Sequence, residues 1–108
     1  MVPNDWIAER RLEAELPDGE RRDIVVRIGR PEARDEEQEF WYCRFQVEGL
    51  EAPPYEHEVF GPGDSVNAVW YALVHAGLRL KAYKERGIRL TWFGAPGLGF
   101  PDANQRDS

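Results

Sequence analysis

The chain has 108 residues, a single cysteine and a formal net charge of −6. That length fits one domain, and 42% hydrophobic with 31% charged residues is a globular composition, which excludes a disordered chain. No apolar run approaches the ~20 residues that a membrane-spanning helix needs.

In chain order, Met1-Val2-Pro3-Asn4-Asp5 has neither a basic start nor an apolar stretch, so no signal peptide is read there. From Trp6 to Leu16 the residues alternate. Trp6, Ala8, Leu12, Ala14 and Leu16 fall on one face, with Arg10 as the polar exception, and Ile7, Glu9, Arg11, Glu13 and Glu15 on the other. Period two with one polar side predicts a strand that is wet on one face. Pro17-Asp18-Gly19-Glu20 follows, and Asp-Gly between strand patterns predicts a hairpin. The second strand runs from Arg22 to Ile28 on its β-branched residues and stops at Gly29-Arg30-Pro31. Residues 31–39 read as a charged loop. In the third strand, Phe40 to Val47, Trp41, Cys43, Phe45 and Val47 point one way, and Phe40, Tyr42, Arg44 and Gln46 the other. After a break at Gly49 to Pro54, a fourth strand spans Tyr55 to Phe60. Four consecutive strands on short links predict an antiparallel meander.

A long helix follows. Asp64 or Ser65 supplies the N-cap, because its side-chain oxygen can accept from an otherwise unpaired backbone N–H. Val66, Val69, Trp70, Leu73, Gly77 and Leu80 recur at helical spacing and predict the buried face, with Tyr71, His75 and Arg79 opposite. Gly77 forgoes ~1 kcal/mol of helix propensity relative to alanine, which a close approach to the sheet would offset. Arg79, Lys81, Lys84 and Arg86 gather at the negative end of the helix dipole, and Gly87 is a good residue to end it. Ile88 to Phe93 reads as a fifth strand. The segment Gly94 to Pro101 cannot be helix, its Leu98 and Phe100 can fold back onto the core, and 102–108 reads as a frayed tail.

The helix start Asp64-Ser65-Val66-Asn67-Ala68-Val69, the strand Arg89-Leu90-Thr91-Trp92-Phe93-Gly94 and the ending Leu98-Gly99-Phe100-Pro101 together resemble a small bacterial family catalogued as a domain of unknown function. The opening Ile7-Ala8-Glu9-Arg10 and the stretch Val26 to Pro31 also suit it. The resemblance covers nearly the whole chain. It implies a compact single domain and brings no activity or catalytic residues to transfer.

Charge and chemistry narrow the functional classes. Residues 1–60 hold 8 Lys/Arg against 16 Asp/Glu, a net of −8, and residues 61–108 hold 6 against 4, a net of +2. The acidic half disfavours a nucleic-acid backbone, which needs a basic face, and favours solubility or a basic protein partner. The lone Cys43 suits a reducing cytoplasm. Alternating with Trp41 and Phe45, it reads as a small buried hydrophobe rather than a thiolate nucleophile. His57 and His75 have no metal-ligand spacing and read as one strand residue and one solvated helix residue. Asp35, Glu36, Glu37 and Glu39 lack the ligand alternation of a calcium loop. Gly94, Gly97 and Gly99 lack the Gly-Lys-Ser/Thr and following helix of a phosphate loop. Aromatics make up 12% of the chain, and on Phe40/Tyr42 and Trp92/Phe93 some must face away from the helix.

The sequence therefore predicts one α+β domain over 1–108, ordered β-β-β-β-α-β: a mainly antiparallel sheet of about five strands with one long helix packed on one face. No catalytic residue, cofactor or metal is assigned. The expected role is a small acidic cytoplasmic protein-interaction module, an antitoxin- or immunity-like inhibitor being one concrete form, with Asp35, Glu36, Glu37, Phe40 and Tyr42 as partner contacts. A ligand-binding protein or enzyme with a pocket near Tyr55 and His57, or a structural homodimer, are the alternatives. Neither nucleic acid nor membrane is expected as a partner.

Overall fold

The computed structural model describes residues 6–102. The opening pentapeptide, and the expected frayed tail from residue 103 onward, lie outside the described residues. The elements are β1 (Trp6–Glu15), β2 (Arg21–Gly29), β3 (Glu32–Ala33), β4 (Phe40–Glu48), β5 (Tyr55–Pro62), α1 (Ser65–Glu85) and β6 (Arg89–Thr91). This is the expected α+β architecture, with one addition. All strand pairs are antiparallel: β1 with β2 and β6, and β4 with β2, β3 and β5. Across the sheet the order is β5, β4, then β2 and β3 end to end, then β1 and β6. β3 is the addition, lying in the expected charged loop. It resumes the β2 track against β4 after the interruption at Gly29, with Glu32 opposite Tyr42 and Ala33 opposite Trp41.

The β1–β2 turn follows its sequence signals. Gly19 takes the left-handed conformation at φ 92°, and the Asp18 carboxylate accepts from the N–H of Glu20 at 2.9 Å. At the far end of the hairpin, Trp6 pairs with Gly29 while Ala8 pairs with Ile28, so a bulge falls at Ile7. One extra residue moves Trp6 to the opposite face from Ala8. Trp6 therefore leaves the alternation expected for it and lies beneath Arg44, whose guanidinium is 5.0 Å from the indole.

α1 begins and ends as its caps dictate. The Asp64 carboxylate accepts from the N–H of Asn67 at 2.8 Å, and Gly87 turns the chain out at φ 92°. Its buried face is not the expected stripe. Ala68, Ala72 and Ala76 are fully buried, continued by Leu80 and Tyr83, whereas Val66 is 75% exposed. Val69 and Leu73 pack at the flanks of the core. The reason is spacing: large side chains fit beside the line of closest approach, and small ones fit on it. The closest approach is between Gly61 and Ala68. A Cβ on Gly61 would stand 2.6 Å from the Ala68 nitrogen and 2.9 Å from the Asn67 carbonyl carbon. Gly77, expected to meet the sheet, faces the C-terminal segment instead, where its Cβ would be 3.1 Å from Phe100 Cβ.

The core fills the space between helix and sheet with Leu12, Ile24, Val26, Ile28, Cys43, Phe45, Val47, Val59 and Leu90. Beyond the reach of the helix, the segment after β6 covers the sheet. Trp92 and Ala95 exchange backbone hydrogen bonds at 2.8 and 3.0 Å across a tight turn, and Leu98 folds back into the core as expected. Arg10, the polar exception in β1, fastens that segment. Its guanidinium lies 3.9 Å from the Trp92 ring and 5.0 Å from the Phe100 ring, and it donates to the Leu98 carbonyl at 3.0 Å.

Candidate functional site

Two surfaces bring chemically distinctive side chains together: the sheet face opposite α1, and the margin where α1 meets β5.

The opposite face is mostly a ladder of charge. Arg27 pairs with Glu9 at 3.5 Å and with Glu48, and donates to Gln46 at 2.8 Å. Arg44 pairs with Glu56 at 2.7 Å, and Arg34 with Glu58 and with Glu32 at 3.1 Å. Such exposed pairs contribute little stability, about 0–1 kcal/mol each, but they fix the orientation of the side chains. At the β4–β5 end the ladder gives way to aromatics. Phe40 and Phe60 stack at 6.0 Å, Tyr42 lies 5.4 Å from Phe60, and Arg34 sits 4.3 Å over Tyr42. Alternation in β4 puts Phe40 and Tyr42 on this side, and the register Tyr42–Phe60 adds the third ring. Phe40 is 49% and Phe60 43% exposed, an unusual state for rings of this size.

The acidic loop stands beside these rings. Asp35 is not a free charge there. Its carboxylate accepts from the N–H of Phe40 at 2.8 Å and of Glu39 at 3.0 Å. Desolvation pushes its carboxyl up, and those N–H groups outweigh it, so Asp35 sits below its ordinary range. Asp35 holds the loop, while Glu36 and Glu37 are exposed on it. Of the five expected contacts, then, Phe40 and Tyr42 form one cluster, Glu36 and Glu37 lie on the adjoining loop, and Asp35 anchors that loop. Phe60, the centre of the aromatic group, went unmarked in the sequence because its partnership depends on the register between β4 and β5.

At the helix margin, Tyr55 and His57 project from β5 toward the α1 side. The Tyr55 and His57 rings stack at 6.5 Å, and Phe45 meets them at 5.8 and 6.1 Å. His57 lies 6.2 Å from His75 of α1, so the two histidines that read as unrelated in the sequence converge. Burial, and then the proximity of His57, lowers the proton affinity of His75 below the ordinary imidazole value. One turn further along α1, Arg79 lies 3.9 Å over Tyr55 and donates to Glu51 at 2.6 Å. The Tyr83 hydroxyl donates to the same carboxylate. The Tyr83 hydrogen bond, with Arg79 second, holds the Glu51 carboxyl below its usual range, and burial with the same contact pushes the Tyr83 phenol up. This network ties the β4–β5 loop to the helix. Sequence reasoning did not single out Glu51, Arg79 and Tyr83 as a group, since their meeting depends on how the helix is rotated.

Cys43 is 1% exposed, and burial raises its thiol pKa to about 11, an inert position. Among the described residues no group of three or more His, Cys, Asp or Glu side chains is arranged to hold a metal, and no helix is long and apolar enough to cross a membrane. A cleft of about 530 Å³ lies between the second half of α1 and residues 96–102, lined by Val74, Gly77, Leu80, Lys81 and Lys84. Another of about 370 Å³ is lined largely by charged side chains of β1, β2 and β6. Neither Tyr55 nor His57 lines either cleft.

The turn after β6 carries a further feature. Phe93 is 91% exposed and adopts φ 53°, a conformation that most L residues avoid. Next to it Gly94 is also left-handed at φ 78°.

No curated protein and no solved structure matches the chain. A family model matches residues 8–102, from early β1 through the segment that Arg10 fastens. The chain belongs to the family described as a domain of unknown function, DUF6968.

Proposed function

We propose that the domain is a small protein-interaction module whose contact surface is the sheet face opposite α1, and that its partner presents a basic, partly apolar surface. One observation supports this reading above the others: Phe40, Tyr42 and Phe60 form an exposed aromatic cluster beside the acidic loop that bears Glu36 and Glu37. Clustered exposed rings with a charged rim are the composition of interface centres, where aromatic anchors carry most of the binding energy. The net charge of −8 in residues 1–60, which include all these groups, favours association with a positively charged surface. An antitoxin- or immunity-like inhibitor acting in the cytoplasm is a concrete form of this role, and the single buried thiol suits that compartment.

The experiment compares the native chain with a Phe40→Ala/Phe60→Ala variant. Both are used to capture partners from the host, and both are sized by sedimentation. The reading expects a partner retained by the native chain and lost by the variant, with both chains folded. Equal capture by the two chains would refute the surface, and a strictly monomeric chain with no partner would refute the module. A self-association that the double substitution abolishes would place a second copy of the chain on this face, as the homodimer reading requires.

A further inference from the structure

We propose that His57 and His75 form a two-histidine binding site for a divalent transition-metal ion of the zinc, nickel or copper class. These are the chain's two histidines. They come from different elements, β5 and α1, and their ring centres stand 6.2 Å apart with 32° between the planes. An ion bound about 2.0–2.1 Å from one nitrogen of each ring lies about 3.2 Å from each ring centre. Such an ion can therefore bridge rings whose centres are up to about 6.4 Å apart, and a tetrahedral angle at the metal requires about 5.2 Å. The observed separation falls inside that reach. His57 is exposed, so rotation of its ring closes the remaining distance without disturbing the core.

The surroundings favour the ion further. The Phe45 and Tyr55 rings flank His57, with ring centres at 6.1 and 6.5 Å. The nearby cation, Arg79, is already neutralised by Glu51, so the site is not dominated by uncompensated positive charge. Metals bind the deprotonated form of imidazole, so occupancy of the site depends on pH. With two protein donors, the other coordination positions are left to water or to a group from outside. Affinity should be modest and should follow ligand preference, copper above nickel and zinc. If the rings met for packing alone, no dependence on metal would be expected.

The test titrates zinc chloride into the full chain at neutral pH and follows the two histidine ring signals by NMR, with chelator added at the end. The expected result is that both rings respond together, saturate at one ion per chain and recover with chelator. His57→Gln and His75→Gln should each weaken binding by about tenfold or more, and acidification through the imidazole range should release the ion. His57→Gln changes an exposed side chain and keeps the fold, which guards against reading misfolding as lost affinity. Response of one ring only, response confined to the acidic loop, unchanged affinity in either variant, or no binding at all would each overturn the proposal.

Discussion

Replacing Gly61 by alanine adds one methyl group and tests the geometry on which the layer packing depends. Gly61 lies in β5 directly beneath the first turns of α1. Its new Cβ would stand 2.6 Å from the Ala68 nitrogen, 2.9 Å from the Asn67 carbonyl carbon and closer still to the Ala68 Cα. All three atoms are backbone, so no side chain can swing aside and the helix itself must lift from the sheet. Overpacking a tight core costs typically 1–3 kcal/mol, and an immovable neighbour puts this case at about 3 kcal/mol. Against a total stability of about 5–15 kcal/mol for a domain of this kind, the loss is large, and it corresponds to a fall in melting temperature of roughly 10–20 °C. Urea unfolding followed by tryptophan fluorescence measures it. Gly97→Ala is the control, since a Cβ there meets nothing within 4 Å. It should be neutral or slightly stabilising, by up to about 1 kcal/mol. Adding Ala68→Gly to Gly61→Ala should not restore stability, because the obstructing atoms remain. A Gly61→Ala variant within about 0.5 kcal/mol of the native chain, the range of ordinary surface changes, would refute the close-approach reasoning.

Two further outcomes are expected. Phe93→Asn should stabilise the domain by about 0.5–1 kcal/mol in the same assay, because asparagine tolerates the left-handed conformation better than phenylalanine; a loss of stability would mean that the Trp92–Phe93 ring contact at 5.3 Å outweighs the strain. Stability should fall with acid in two stages. The proton affinity of His75 is lowered by folding, so the unfolded chain binds its proton first and stability begins to drop as pH falls below the ordinary imidazole value of 6.5. Glu51 is likewise lowered, so its contribution is complete above the ordinary carboxyl value of 4.5 and is lost as pH falls below that. His75→Gln should remove the first stage and Glu51→Gln should shrink the second, as read from urea midpoints across the pH range.

Local chemistry made much of this fold readable in advance. Alternation in β1 and β4, the Asp18-Gly19 turn, the Asp64 cap and Gly87 each carry their instruction within a few residues. What was hidden depends on distant partners. The helix presents alanines to the sheet, and alanine is too weak a hydrophobe to reveal a stripe beside valine, tryptophan and leucine, so the buried face was read rotated toward Val66, Val69 and Trp70. That rotation also hid the meeting of His57 with His75 and of Arg79 with Glu51. The bulge at Ile7 that turns Trp6 over has no local marker, since neither glycine nor proline stands there. The aromatic cluster was half legible: Phe40 and Tyr42 followed from alternation, while Phe60 required the register across two strands.

The pairing of β1 with β6 has a consequence for synthesis. Glu13 and Thr91, which face each other across that pair, are separated by 78 positions in the chain. At about 5–20 residues per second, β1 leaves the ribosome roughly 4–16 s before its second neighbour exists. During that interval one edge of the nascent sheet is bare, and Arg10, which will later clasp the final segment, has nothing to hold. The alternating charges Glu9, Arg11, Glu13 and Glu15 along β1 make that waiting edge a poor template for other chains. The same polar side that leaves the finished sheet wet guards the first strand until the last one arrives.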